Sequence, residues 1–506
     1  MKIRLLATSD VHGMIVPYHY SDRLDAKHGL CRLHTLINQY RDENTLLLDN
    51  GDVLQGSPLD YFHHVKRESK IHPMAKAFKA LNYDYLNLGN HDFNFGQEVL
   101  RRYLRDAGIP CITGNIKSEE PYGVDYVVHR FDDKHAIAII GAVTQHIPIW
   151  EQPHNITGLT FINALDYVQK TVEVIQAKEK VQGIVLLYHG GFERDLESGE
   201  PTEVLNGENL GYAICSQVKG LDVVISGHQH RSLAGFCFQK AVTQTRSNGE
   251  ELAVVDWDLD KHEINPRVIL APQAFQPLLL DIIQEEEEAC QKWLDQPLGA
   301  LEAGDLLIGD PWQARVHKHP LISFLNQVQL DCSKAQLSAI ALFNGARGFA
   351  HEITMRDLVS TYIYPNTLVV HKINGAKLRQ FLEKCAEYFA LRDGQLCVNP
   401  RYLAPKPQHY NYDMVDGVDY TIDVRKPQGE RIVSLLYEGQ PVLDEQEFTI
   451  ALSNYRSGGG GDFDFVRDWE IVSSSPREMV EILADYIRQH PILVIHHREN
   501  ITVLPK

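Results

Sequence analysis

Six short apolar runs, continuous rather than alternating, set the terms on which the first half of this chain can fold. They are Ile3–Ala7, Thr45–Leu48, Tyr83–Leu88, Ala136–Ile140, Gly183–Tyr188 and Leu221–Ile225. A continuous apolar run of roughly four to eight residues suits a strand covered on both faces, whereas a strand with one wet face alternates. Between the runs, Leu30–Arg41, Pro73–Leu81, Glu98–Ala107 and Ala164–Gln176 carry helical periodicity. Strands and helices in turn predict a layered α/β domain.

The pattern changes near Pro272. Phe275–Gln296 is acidic and helix-prone, with Glu285–Glu288 at its middle, which reads as a solvated helix face joining two domains. Beyond it, strand-like segments at Thr367–Ile373, Tyr420–Val424, Ile432–Tyr437 and Glu447–Leu452 mix with helical stretches at Leu321–Gln329 and Ala376–Tyr388. The expected organisation is a first domain over 1–274, a linking helix over 275–300 and a second α/β domain over 301–506. A chain of 506 residues is long enough for about two to four domains.

Lys and Arg number 49 and Asp and Glu 67, so the net charge is 49 − 67 = −18. Such a surface repels nucleic-acid polymers and anionic membranes, and no apolar run approaches the roughly 20 residues of a membrane span. An anionic substrate would need a local cation, either a metal or a few arginines. The eight cysteines contain no C-x-x-C pair, which predicts free thiols in a reducing compartment. Met1–Ala7 runs straight into a strand and leaves no room for a signal peptide, so the expected location is cytoplasmic.

Five polar clusters follow the apolar runs: Asp10-Val11-His12-Gly13, Gly51-Asp52, Gly89-Asn90-His91-Asp92, His189-Gly190 and Gly227-His228-Gln229-His230. In open α/β sheets functional groups gather beyond the carboxyl ends of strands. These clusters supply carboxylate, imidazole and amide groups, the ligands of borderline divalent metals, and their glycines permit the tight turns that let ligands converge. One such cluster is commonplace in a turn. Five in order, each after a strand, are not. His19, His63, His64, His317, His319, His496 and His497 stand outside the set and read as surface residues.

The ordered set resembles the calcineurin-like metallophosphoesterases, whose blocks D-x-H, G-D, G-N-H-D/E, H-G and G-H-x-H are all present. The resemblance implies a layered αββα sandwich with a two-metal centre. Asp10, His12 and His230 would hold one ion; Asn90, His189 and His228 the other; Asp52 would bridge them. The metals could be Mn, Zn, Fe or Co. His91 is similar to the family's catalytic histidine, which assists the leaving oxygen. In the 5′-nucleotidases the motif continues to an Asp that pairs with this histidine, whereas this chain places Asn94 there. An asparagine can orient an imidazole but brings no charge to it.

Phe343-Asn344-Gly345-Ala346-Arg347-Gly348, Tyr364-Pro365-Asn366-Thr367-Leu368 and Ile373-Asn374-Gly375-Ala376-Lys377-Leu378 resemble the 5′-nucleotidase C-terminal domain, the substrate-recognition half of that family. Asn344 and Arg347 are candidate substrate residues, Arg347 as a fork donor to phosphate. By resemblance, Tyr412 and Tyr455 would sandwich a nucleobase, with Gly458–Gly461 letting the chain pass close to a ligand. That glycine run lacks the form of a P-loop.

The Tyr410–Asp423 segment and Asn454-Tyr455-Arg456 resemble the 2′,3′-cyclic-nucleotide 2′-phosphodiesterase/3′-nucleotidase branch. The expected activity is metal-dependent hydrolysis of nucleotide phosphoesters by attack of a metal-bound hydroxide on phosphorus. The alternatives are a 5′-nucleotidase or UDP-sugar hydrolase with the same centre, and a non-catalytic metal- or nucleotide-binding protein.

Overall fold

The computed structural model describes residues 1–66 and 70–505. Contacts divide the chain into two compact units, Met1–Gln291 and Lys292–Lys506.

Two sheets form the heart of the first unit. One has five strands in the order Glu263–Leu270, Glu251–Asp258, Lys2–Thr8, Thr45–Asp49, Tyr85–Leu86. The other has six, in the order Leu233–Cys237, Lys240–Gln244, Val223–Ser226, Gly183–His189, Ala136–Val143, Val127–Arg130. Strand Gly183–His189 shows why the apolar runs are continuous. Its Val185 and Leu187 meet Leu5, Leu48 and Val255 of the facing sheet. Its Ile184, Leu186 and Tyr188 meet Val168, Val172 and Ile214 on the helical side. Side chains alternate across a strand, so burial on both sides demands an apolar residue at every position. Helix Leu30–Tyr40 packs on strand Glu251–Asp258 of the first sheet, which completes an αββα sandwich.

Parallel pairing brings the strand ends to one rim. Thr8 lies opposite Asp49, Val143 opposite His189, and Tyr188 opposite Ser226. The run Tyr83–Leu88 pairs only over Tyr85–Leu86. Its ladder stops because Leu88 N–H turns to Thr113 Oγ1 at 2.8 Å as the chain enters Gly89-Asn90.

Two expectations need correction here. Glu285–Glu288 is not a solvated face: Glu286 and Glu287 are buried. Lys76 pairs with Glu286, and the Tyr18 and Tyr20 hydroxyls donate to Glu287 at 2.5 and 2.7 Å. The helix Gln284–Leu294 that carries them is thereby tied to the first unit over its acidic turn. His63 is also buried, on the inner side of helix Pro58–Lys66, edge-on to His72 at 4.6 Å.

In the second unit a five-stranded sheet runs Asp413–Asp416, Leu337–Ala341, Glu447–Ser453, Thr367–Asn374, Glu470–Glu478. Helices Pro320–Ser333 and Gly375–Ala386 accompany it, the latter started by Asn374, whose side chain accepts from Lys377 N–H at 3.0 Å. Among the described residues no helix is long and apolar enough to cross a membrane.

Candidate metal centre

The polar clusters meet at the rim of the first unit. Asp10, His12, Asp52, His228 and His230 all hold φ between 50° and 70°. Left-handed backbone is costly for residues with a Cβ and gathers at functional sites. Neighbouring glycines make the close approach possible. A Cβ on Gly89 would lie 2.2 Å from Asp52 Oδ1, and one on Gly227 2.2 Å from Ser9 Oγ.

Two groups of ligand atoms result, Asp10–His12–His230 and Asp52–His189–His228, each with its atoms within 4.8 Å of one another. Asn90 joins the second group, its Oδ1 2.9 Å from His228 Nδ1. The chain thus brings together all seven residues the motifs single out. Asp52 Oδ1 accepts from His91 N–H at 2.7 Å, while Oδ2 faces His189 Nε2 at 3.2 Å. Asp92 accepts from the backbone N–H groups of Gly89, Asp52, Val53 and Leu54 at 2.7 to 3.1 Å and so locks two clusters together.

The donor set fits divalent metal. His12 Nδ1–H donates to Gln55 O at 2.8 Å and His189 Nδ1–H to Asn50 O at 2.7 Å. Each bond fixes the tautomer and aims Nε2 inward, the usual preparation of a metal-binding imidazole. His12 Nε2 and His230 Nε2 face each other at 3.1 Å, and His189 Nε2, buried 3.2 Å from Asp52 Oδ2, makes no hydrogen bond among the described residues. Burial opposes the charge on Asp10 and Asp52, yet His189 beside both holds them well below the usual carboxylate range. Burial likewise disfavours the His189 imidazolium, but Asp52 and Asp10 raise it to about 10. Burial pushes His12 down to about 4. Two buried carboxylates therefore call for positive charge at the spot where the imidazoles converge.

His91 lies half-buried beside this cluster, its ring 5.4 Å from that of His12. Its Nδ1 meets Asn94 Oδ1 at 2.7 Å, and Asn94 Nδ2 donates to Glu151 Oε2 at 2.7 Å. The sequence did not single out Glu151, nor Trp150, whose ring stacks on His228 at 5.4 Å, nor Glu208, whose Oε1 is 2.8 Å from His228 Nε2. Trp150 and Glu151 come from a four-residue helix, Ile147–Trp150, and its cap, which carry no motif.

In the second unit, Asn344 Nδ2 donates to Pro407 O at 2.8 Å, and Arg347 is exposed. Tyr412 does not offer a face to a base: it is fully buried, stacked on Tyr388 at 4.9 Å and 12°. The half-buried rings nearby are Tyr410 and Tyr455, 6.4 Å apart, and Tyr364, 6.0 Å from Tyr410. Buried Arg456 joins these segments, binding Asp413 Oδ2 at 2.6 Å and the carbonyls of Gly460 and Tyr410. A Cβ on Gly460 would lie 2.5 Å from the Tyr455 ring, so the glycine run lies against that tyrosine.

Comparison with known proteins agrees with this layout. The calcineurin-like phosphoesterase family matches residues 3–232 and the 5′-nucleotidase C-terminal domain residues 302–468. A Staphylococcus aureus crystal structure, named as a candidate 5′-nucleotidase in complex with α-ketoglutarate, is 34% identical with a TM-score of 0.93, covering 99% of this chain and 100% of that one. A Haemophilus influenzae 2′,3′-cyclic-nucleotide 2′-phosphodiesterase/3′-nucleotidase is 29% identical over 96% of this chain and 84% of its own length. A Bacillus subtilis protein named trifunctional nucleotide phosphoesterase YfkN is 29% identical over 99% of this chain, which spans 39% of that protein. Two matched domains, one with its ligand groups assembled, and a relative alike from end to end lead to one assignment: this chain belongs to the calcineurin-like phosphoesterases that carry a 5′-nucleotidase C-terminal domain.

Proposed function

We propose that the chain hydrolyses nucleotide phosphoesters, opening 2′,3′-cyclic nucleotides and releasing phosphate from 3′-nucleotides. The observation that supports it most is the convergence of Asp10, His12, Asp52, Asn90, His189, His228 and His230 on two adjacent ligand groups. Asp52, whose Oδ1 accepts from His91 N–H and whose Oδ2 faces His189 Nε2, is the carboxylate that would be shared between the two ions. When bound, two divalent ions (Mn, Zn, Fe or Co) supply Lewis-acid charge at the phosphoryl group and a nucleophile from water at neutral pH.

The protein's own groups do the rest. Asn94 Oδ1 keeps a proton on His91 Nδ1, so the doubly protonated ring gives up its Nε2–H to the departing ribose oxygen and is left as the neutral Nδ1–H tautomer. The second unit supplies the nucleoside site, with Tyr455 and Tyr410 as stacking rings in place of Tyr412, and Asn344 and Arg347 as polar contacts. Eight cysteines without a disulfide fit a reducing compartment.

The cyclic-nucleotide reading is supported by Asn94 and by the Haemophilus relative. A panel of 2′,3′-cyclic AMP, 3′-AMP, 5′-AMP, UDP-glucose and bis-p-nitrophenyl phosphate, each with added Mn, tests it. Fast turnover of the first two is expected. A clear preference for 5′-AMP would move the chain to the 5′-nucleotidases, and no turnover of any substrate would leave a binding protein.

The base site has its own expected result. Base stacking is worth roughly 1–3 kcal/mol, so Tyr455→Ala should raise KM for nucleotides about 5- to 150-fold. Hydrolysis of bis-p-nitrophenyl phosphate, which lacks a base, should change little. Tyr412→Ala should instead lower the melting temperature, because it empties a buried ring site. Unchanged nucleotide KM in Tyr455→Ala would remove that tyrosine from the site.

A further inference from the structure

Glu151 is 9% exposed, and its three hydrogen-bond donors are all neutral. Oε2 accepts from Asn94 Nδ2 at 2.7 Å; Oε1 accepts from Asn155 Nδ2 at 2.9 Å and from Gln152 N–H at 2.7 Å. Asn155 Nδ2 also donates to the Asn94 carbonyl at 2.9 Å, so Asn94 is tied to this segment through side chain and backbone alike. A buried carboxylate bonded to neutral groups needs a reason, because removing its charge from water is costly.

The reason lies in what the carboxylate does to Asn94. An ionised carboxylate only accepts hydrogen bonds, so the Asn94 amide must turn its NH₂ to Glu151 and its oxygen to His91. That oxygen accepts, so the His91 nitrogen facing it must carry a proton. The order is fixed from Glu151 outward: carboxylate, amide NH₂, amide oxygen, Nδ1–H, so the proton that the doubly protonated ring can release is the one on Nε2. Negative charge sits one link farther from the imidazole than in a direct histidine–aspartate pair.

We propose that Glu151 is a positioning residue for proton delivery by His91, acting through Asn94 to set the ring's tautomer and orientation. The inference rests on the reading above that His91 protonates the leaving oxygen. Glu151→Gln keeps the shape and removes the lock, since either end of the new amide can meet Asn94. It should lower kcat for 3′-AMP about 10- to 100-fold, the usual scale for a residue that orients a reacting group, with KM, metal content and melting temperature little changed. Bis-p-nitrophenyl phosphate, with its good leaving group, should lose much less.

Asn94→Asp alone would set two carboxylates within hydrogen-bond distance and should also lower kcat. Combined with Glu151→Gln it puts one charge directly on His91 and should recover activity above either single variant. In ¹⁵N-histidine spectra of the full chain without metal, the neutral His91 ring, the form left after proton delivery, should be the Nδ1–H tautomer and give way to a tautomer mixture in Glu151→Gln. Equal losses on both substrates, loss of metal, or a double variant no better than the singles would overturn the proposal. His91→Ala separates the two readings. If it spares the activated ester while Glu151→Gln changes nothing, the relay fails and the function stands. If His91→Ala shows no such selectivity, proton delivery by His91 falls and the relay with it, while the phosphoesterase assignment, which rests on the ligand groups, is untouched.

Discussion

Asp52→Asn should nearly abolish turnover and leave fewer than two metal ions per chain. The substitution is close to isosteric. The asparagine oxygen can still accept from His91 N–H, the bond that now measures 2.7 Å. What disappears is the negative charge, in a place where the side chain is 1% exposed and water cannot compensate. Two divalent ions side by side repel each other, and a bridging carboxylate is what offsets part of that repulsion. A residue that merely orients a ligand costs about 10- to 100-fold when changed. Loss of the bridge should exceed that, by roughly a further order of magnitude or more. Metal analysis of the purified variant beside its turnover of 3′-AMP checks both halves. Near-wild-type activity with two ions bound would remove Asp52 from the bridging position.

The clusters behind that prediction were legible because each follows a run whose burial admits one arrangement. Val185 and Leu187 serve one core, Leu186 and Tyr188 the other, and His189 is the next residue along, at the rim. Parallel neighbours do the same for Asp10 and Asp52. Their positive φ values follow from the turn the chain must make at once after the strand.

The misreadings have physical causes too. Four consecutive glutamates in a helix spread over about 300° of its circumference at 3.6 residues per turn, so they cannot all share one solvated face. Glu286 and Glu287 face inward, and the lysine and tyrosines that receive them lie more than 200 residues away in sequence. In Tyr410-Asn411-Tyr412 the strand begins only at Asp413, after a short turn of 3-10 helix over His409–Asn411. Which tyrosine faces the core therefore depends on a turn that leaves no periodic signal, and a one-residue shift exchanges the two faces. Glu151 follows the strand Ala136–Val143, whose end carries Thr144-Gln145-His146 rather than a glycine-flanked ligand. Its role is visible only once Asn94, 57 residues earlier, lies beside it.

His91→Ala carries the second large effect, and its character matters more than its size. General acid catalysis contributes typically about 10²–10⁴-fold, and that loss should appear in kcat for 3′-AMP. KM should move little, because the proton is delivered as the bond breaks and not when substrate binds. Metal content should hold at two. The His91 ring belongs to neither ligand group, and its contribution next to Asp52 is a backbone N–H that alanine retains. A p-nitrophenolate leaves without needing a proton, whereas a ribose alkoxide does not. The ratio of kcat for bis-p-nitrophenyl phosphate to that for 3′-AMP should therefore rise by most of the loss. A variant that loses both substrates equally while keeping its metals would show that His91 stabilises the phosphoryl charge instead. One that loses its metals would show that the ring supports the ligand cluster, and the proton would have to come from elsewhere.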